Sequence, residues 1–304
     1  VYALTAGDRR ATVFGFGVTC GLEALAIAFP FALGDDVAVL AMSLREWGME
    51  GFSGLVSGWF CVASVLLLPA SLIAGFQFPL LVNLLGRGRR AVGRELGMTY
   101  AFNTMGAILG ALVGGFGLLS WWGVTGCWWL VVGLLSAAAL GAARVSRSGG
   151  KALIPVSLAL IAVGLMTATG PTAAWRHQPI GAGRVQLPDS SPQSVKRWQR
   201  KVQRLTQWEA EGKESSIAVL NSNSLTLSVN GKSDGNAIGD AATFIMLGVL
   251  GPFLHPGAEE ALVIGLGTGE TTGWLASVEG MEQVDSVELE PAVLHMAELC
   301  SAAN

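Results

Sequence analysis

Gly265, Gly267 and Gly269 stand at alternate positions directly after the apolar run Ala261–Ile264, and Glu288 follows nineteen residues after the last of them. A residue without a Cβ lets the backbone turn tightly and approach a ligand. A helix over Glu270–Val278 would aim its free N–H groups at that ligand. A second strand over Gln283–Leu289 would carry Glu288 near its carboxyl end, where an acid suits the two hydroxyls of a ribose. Strand, glycine turn, helix, strand and terminal acid together describe a nucleoside site. The dinucleotide spacing G-x-G-x-x-G fails, because its last glycine falls on Glu270. S-adenosylmethionine or a relative therefore fits better than NAD.

These residues belong to a chain that is 51% hydrophobic and only 13% charged, with a mean hydropathy of +0.52. Soluble domains carry about 25% charged residues, so the composition is that of a membrane protein. Charge is uneven. Residues 1–170 hold ten Lys+Arg and seven Asp+Glu, whereas 171–304 hold nine and fifteen. An acidic soluble part argues against nucleic acid as a partner. Cys20, Cys61, Cys127 and Cys300 show no disulfide or metal spacing, and no metal is expected.

The elements that must position the site come after a membrane half. Thr12–Leu33 is long enough for a first span, with Glu23 near its middle. An acid there is a functional candidate, or a carboxyl hydrogen-bonded inside a bundle. Gly34–Gly51 reads as a loop. Phe52–Leu85 contains Pro69 and Pro79 and reads either as one long tilted helix or as a span followed by an interfacial segment. Arg87, Arg89, Arg90 and Arg94 mark a cytoplasmic loop. Tyr100–Leu119, Gly123–Ala143 and Ala152–Thr169 complete about five spans. Gly106, Gly110 and Gly114 form a ladder suited to helix packing. Trp121, Trp122, Trp128 and Trp129 suit interfacial anchors. Counting from Arg87–Arg94 and from the second basic loop, Arg144–Lys151, everything after Gly170 falls on the extracytoplasmic face.

The remainder is read as a linker over 171–215 and an α/β domain over 216–304. Gly170–Pro192 is a Pro/Gly-rich connector containing Trp175, Arg176 and His177. A helix is expected over Ser194–Glu211, with Val195, Trp198, Val202, Leu205 and Trp208 on one face. Lys196, Arg197, Arg200, Lys201 and Arg204 cover the rest. Such a helix either lies on lipid headgroups or packs on its own domain. Ser216–Val219 and Ser224–Val229 read as paired strands, followed by a turn at Asn230-Gly231. A helix over Asp240–Leu250 follows, and Pro252 and Pro256 lead into the glycine-turn strand. Asp234 and Asp240 read as turn or cap residues first and catalysts second. A doubly wound sheet needs further strands to cover both faces, so the sequence reads as a fragment cut at both ends.

The order LSVNGKSD (227–234), PFLHP (252–256), VIGLGTG (263–269) and VELEPAV (287–293) resembles the spermidine synthase family. More narrowly it is similar to the membrane-fused members, as are residues 88–119 and 174–185. The resemblance implies an α-helical membrane bundle followed by a Rossmann-like domain of spermidine synthase or methyltransferase type with an N-terminal β-hairpin. It implies decarboxylated S-adenosylmethionine or S-adenosylmethionine as substrate, bound by Gly265, Gly267, Thr268 and Gly269, with Glu288 on the ribose and Asn230-Gly231 at the cofactor edge. It implies aminopropyl transfer to an amine such as putrescine.

Two departures weigh against that chemistry. Soluble members have an Asp where this chain has Thr268, and their polar amine pocket falls on Thr243, Phe244 and Ile245. The base would lie beyond Asn304. The alternatives are another S-adenosylmethionine-dependent transferase, such as a methyltransferase, or a transporter-like or scaffold protein with an idle synthase-like module. The expected partners are the lipid bilayer and a small amine, and the expected location is a prokaryotic plasma membrane.

Overall fold

The computed structural model describes residues 11–46, 51–85, 92–146, 149–178, 185, 187 and 191–302. The chain divides into two compact units, Val1–Thr172 and Ala173–Asn304. Arg87, Arg89, Arg90 and Arg147 of the basic loops lie outside the described residues, as do residues 179–184, 186 and 188–190 of the connector.

The first unit is built around α1, Val13–Leu33. The Thr12 hydroxyl caps its start by accepting the Gly15 N–H at 3.0 Å. Its neighbours are α3 (Gly51–Leu85), α5 (Leu119–Val145) and α6 (Leu153–Leu165). Small residues on α1 let these helices come close. A Cβ on Gly17 would stand 2.8 Å from the Ala142 Cβ, and one on Gly21 would stand 2.8 Å from that of Leu158. Lipid supplies no hydrophobic drive between helices, so such close packing has to hold them together. Further along the seam the Trp128 indole donates to the Ile27 carbonyl at 2.9 Å, and its ring meets Phe31 edge-on at 5.5 Å. Trp128 is therefore a packing residue. Trp121 and Trp122 remain exposed, as anchors would.

Several sequence expectations change here. Asp36–Glu46 is a helix, α2, where a loop was expected. Asp36 sits in its first turn, where an acid favours the helix dipole, and Val37, Ala38 and Met42 are buried. α3 is one helix of 35 residues that holds both Pro69 and Pro79, which settles the choice between a long helix and a broken one. α4 (Val92–Val113) runs through a π-helical stretch at Gly114–Leu118 into α5, and the break comes at Gly123, whose φ is 66°. The glycine ladder of α4 and the start of the π-helical stretch has no packing partner among the described residues: no such atom lies within 4 Å of a Cβ built on Gly106, Gly110 or Gly114.

The last expected span shrinks most. α6 has 13 residues, about 20 Å of helix against a core of about 30 Å. Val13–Leu33, Gly51–Leu85 and Gly93–Val145 are each long and apolar enough to cross a membrane, which marks a membrane protein. α6 falls short of that length.

The second unit opens with a single turn, α7 (Ala173–Arg176), and the helix α8 (Pro192–Leu205). α8 stops at Leu205, and Thr206–Glu211 is strand β1 rather than more helix. The step from Leu205 to Trp208 suits a helix, but Thr206, Trp208 and Ala210 also alternate as a strand does, and tertiary pairing decides. β1 pairs with β2 (Ser216–Asn221), β2 with β3 (Leu225–Val229) and β3 with β4 (Lys232–Asn236), all antiparallel. The paired strands expected around residues 216–229 are the inner two. Asn230 (φ 49°) and Gly231 (φ 77°) make the two-residue turn into β4.

α9 (Ala241–Leu254) keeps Pro252 inside its last turn instead of ending before it. β5 (Glu260–Ile264) then runs through α10 (Glu270–Ala276) to β6 (Gln283–Val287), which pairs with β5 in parallel. α11 (Val293–Leu299) closes the core, where Val293 and Met296 meet Ile217, Val219 and Leu227.

The seam of α1 generates a paired test. Gly21→Val should lower the thermal stability of the detergent-solubilised chain by about 1–3 kcal/mol through overpacking. Gly110→Val, which meets open space, should leave the melting temperature unchanged.

Candidate functional site

All three glycines of the turn adopt left-handed φ, at 91° for Gly265, 56° for Gly267 and 86° for Gly269. L side chains are strained there, which is why the chain spends glycine at each. Open space surrounds the Cβ positions of Gly265 and Gly267, so the turn presents bare backbone. Gly265 N–H donates to the Val287 carbonyl at 2.8 Å and Gly269 N–H to that of Leu266 at 2.9 Å.

Glu288 lies across this turn. One carboxylate oxygen accepts the Leu266 N–H at 2.8 Å, and the other accepts the Glu290 N–H at 2.9 Å. Burial pushes its carboxyl up, but bonds from the backbone of Glu290, Leu266, Leu289 and Gly267 outweigh that and hold it below its ordinary value. A carboxylate has about four lone-pair sites, so each oxygen retains capacity for a ligand hydroxyl.

The turn forms one wall of a cavity of about 470 Å³. Gly265, Gly267, Thr268 and Glu288 line it. Gly269 adjoins it as the residue capping α10. Asn230 and Gly231 do not line it. The Asn230 side chain instead accepts the Ser216 N–H at 3.0 Å, and Gly231 packs over the Gln178 backbone. The hairpin reaches the cavity through Val229, Asp234 and Gly235. Of the trio expected in an amine pocket, Phe244 lines it. Its ring lies so close to Gly235 that a Cβ there would stand 3.0 Å away.

Charge distinguishes the lining. Glu214, Asp234, Glu288 and Glu290 contribute four carboxylates, and among the described residues no Lys or Arg lines the cavity, although Lys232 pairs with Asp234 at 3.3 Å. Sequence reading missed Glu214 and Glu290. Glu290 is buried and accepts the N–H groups of Glu214 at 2.8 Å, Ser215 at 3.3 Å and Ala292 at 3.2 Å. It thereby ties the loop between β1 and β2 to the end of β6. Gly212 leaves room for it, since a Cβ there would fall 2.2 Å from the carboxylate. The signal was the E-x-E spacing of Glu288 and Glu290 after a strand.

Glu270 was also missed, although it occupies the position where a dinucleotide turn has glycine. It is only 1% exposed, and its Oε1 has no partner among the described residues. Burial raises its carboxyl pKa, a hydrogen bond with Thr268 opposes this, and the charge of Asp240 adds to the rise. Asp240 itself accepts the Asn236 N–H at 2.8 Å, a turn role.

Away from the cavity, His177 is fully buried with Nε2 3.0 Å from Glu209. Arg176 pairs with Glu209 and, at 3.0 Å, with Glu211. The hydrogen bond from His177 leads in holding the Glu209 carboxyl low; burial opposes it, and Arg176 adds to it. Trp175-Arg176-His177 thus begins the second unit's fixed structure. Among the described residues no group of three or more His, Cys, Asp or Glu suits a metal ion.

Two tests follow from these carboxylates. Glu270 has its folded pKa above its unfolded one, so its contribution is full below the ordinary carboxylate range and is lost as pH rises. Glu270→Gln should therefore raise the melting temperature at about pH 7.5, with the gain vanishing near ~pH 4. Gly212→Ala should destabilise the second unit by about 1–3 kcal/mol, because Glu290 must leave the N–H groups it accepts; amide exchange at Glu214 and Ser215 reads this directly. No protein-family model, no curated protein and no solved structure matches the chain.

Proposed function

We propose that the second unit binds an S-adenosyl compound, and that the chain is a membrane-anchored, spermidine-synthase-like transferase. One observation carries this reading: a bare glycine turn crossed by Glu288 opens into a cavity lined, among the described residues, by four carboxylates and no Lys or Arg. The turn and Glu288 suit an adenosine, whose ribose hydroxyls bond the carboxylate. The excess negative charge suits the cationic sulfonium and an amine beside it. β5, α10 and β6 serve as the opening βαβ unit of a Rossmann-like sheet in this reading.

The nominal reaction is aminopropyl transfer from decarboxylated S-adenosylmethionine. The amine nitrogen attacks the carbon next to the sulfonium. A C–N bond forms, the C–S bond breaks, and methylthioadenosine leaves as the nitrogen loses a proton. The sulfonium is already a good leaving group, so positioning the two partners is the protein's main task. Glu214 holds an ammonium group by charge, and Asp234 does so in exchange for its exposed pairing with Lys232. Thr268 supplies a hydroxyl but no charge where soluble members have an acid.

Thr268 and the apolar Phe244 favour a second reading, in which the same turn holds S-adenosylmethionine for methyl transfer or for binding alone.

Thermal shift of the full chain in detergent separates these outcomes. Methylthioadenosine and decarboxylated S-adenosylmethionine should raise the melting temperature, by about 2.7 kcal/mol of stabilisation at a hundredfold excess over Kd. Glu288→Ala should abolish the shift. Methylthioadenosine release that depends on added putrescine identifies aminopropyl transfer, and no shift with any adenosyl compound removes the proposal.

A further inference from the structure

α8 divides its surface between two tasks. Val195 and Val202 are buried, and Val202 packs with Trp198 on Ala173 and Ala174. Lys196, Arg197, Arg200, Lys201 and Arg204 are exposed on the other side and line a shallow depression. Among the described residues none of the five forms an ion pair, while Arg176 and Lys232 elsewhere in the unit do.

The concentration of charge is extreme for this unit. From residue 173 onward the chain holds nine Lys+Arg and fifteen Asp+Glu, and five of the nine cations fall within residues 196–204. The rest of the unit, with four cations, is strongly acidic. A random surface would mix the signs and pair them. Segregation at this level builds a face for a polyanion.

We propose that this face of α8 docks on the anionic phospholipid headgroups of the bilayer that holds the first unit. Two observations choose a lipid surface over nucleic acid. Residues 166–191 alone separate α8 from α6, so a bilayer is the polyanion always within reach and the effective concentration is high. The aromatic side chain of the helix, Trp198, is used in the packing on Ala173 and Ala174, which leaves no stacking platform for bases. The apolar face of α8 is committed to its own unit, so the helix rests on headgroups by charge and does not insert. This contact is independent of what the cavity binds.

The test uses the full chain in nanodiscs of phosphatidylcholine, alone or with about 30 mol% phosphatidylglycerol. A fluorescent amino acid at the exposed Gln193 reports energy transfer to a headgroup-labelled lipid. Transfer should rise at least about threefold with phosphatidylglycerol and fall back in about 0.5 M NaCl. Arg197→Gln with Arg200→Gln and Arg204→Gln should abolish the phosphatidylglycerol-dependent rise, because at about fivefold per charge the docking constant falls on the order of a hundredfold. Transfer that ignores phosphatidylglycerol, or that persists in the triple variant, overturns the proposal. So does a single-stranded RNA that displaces α8 from the anionic discs. Should the variant fail to fold, the lipid and salt dependence of the unaltered chain decides.

Discussion

The Glu288 carboxylate accepts N–H groups from two loops at once, Leu266 after β5 and Glu290 after β6. Those loops follow parallel strands and would otherwise diverge beyond the last ladder bond at Ile264 and Val287. The two charge-assisted bonds join them and set the mouth of the cavity. Glu290 continues the same device outward, because its own carboxylate takes N–H groups from the loop that joins β1 to β2. Backbone donors of three loops are thereby satisfied by two acids two residues apart. A buried N–H without a partner is costly, so the carboxylates stabilise the loops while leaving negative charge at the cavity wall.

That arrangement has a consequence for ligand choice. A carboxylate fully consumed by arginine would present little field, but Glu288 is held by neutral backbone N–H groups, which keep its carboxyl below the ordinary value. The cavity thus combines order with a negative potential. Glu270 behaves in the opposite way. It is buried beside Thr268 with one oxygen unpartnered, and burial favours its neutral form. Two acids on either side of one glycine turn therefore differ: Glu288, after β6, is biased toward its charged form, and Glu270, at the start of α10, toward its neutral form.

How much of this was legible in the sequence depends on what kind of constraint each residue obeys. The glycine turn was legible because left-handed φ selects residue type directly, and Gly265, Gly267 and Gly269 all need it. Long apolar runs were legible because a bilayer fixes helix length. The failures have a common cause in tertiary context. Trp128 looks like an interfacial anchor until Ile27 offers it a carbonyl. Trp208 fits a helix face until β2 pairs with its strand. Asn230-Gly231 was recognised as a turn, but only the packing on Gln178 and Ser216 shows that it faces away from the cavity.

The two units solve the problem of close approach with the same residue but for different reasons. In the membrane unit Gly17 and Gly21 admit neighbouring helices, since packing is the force available between apolar surfaces in lipid. In the second unit Gly212 admits a carboxylate and Gly248 admits the Thr271 carbonyl, which would stand 2.7 Å from a Cβ. Gly212 thus serves a polar contact, whereas Gly248 lets the backbone of α10 come close to α9. Gly265 and Gly267 belong to neither group, because nothing occupies the space they leave. Gly251, Gly257 and Gly280 of the same unit are open as well, so openness alone marks no site; Gly265 and Gly267 differ in that both line the cavity together with Glu288 and Glu290.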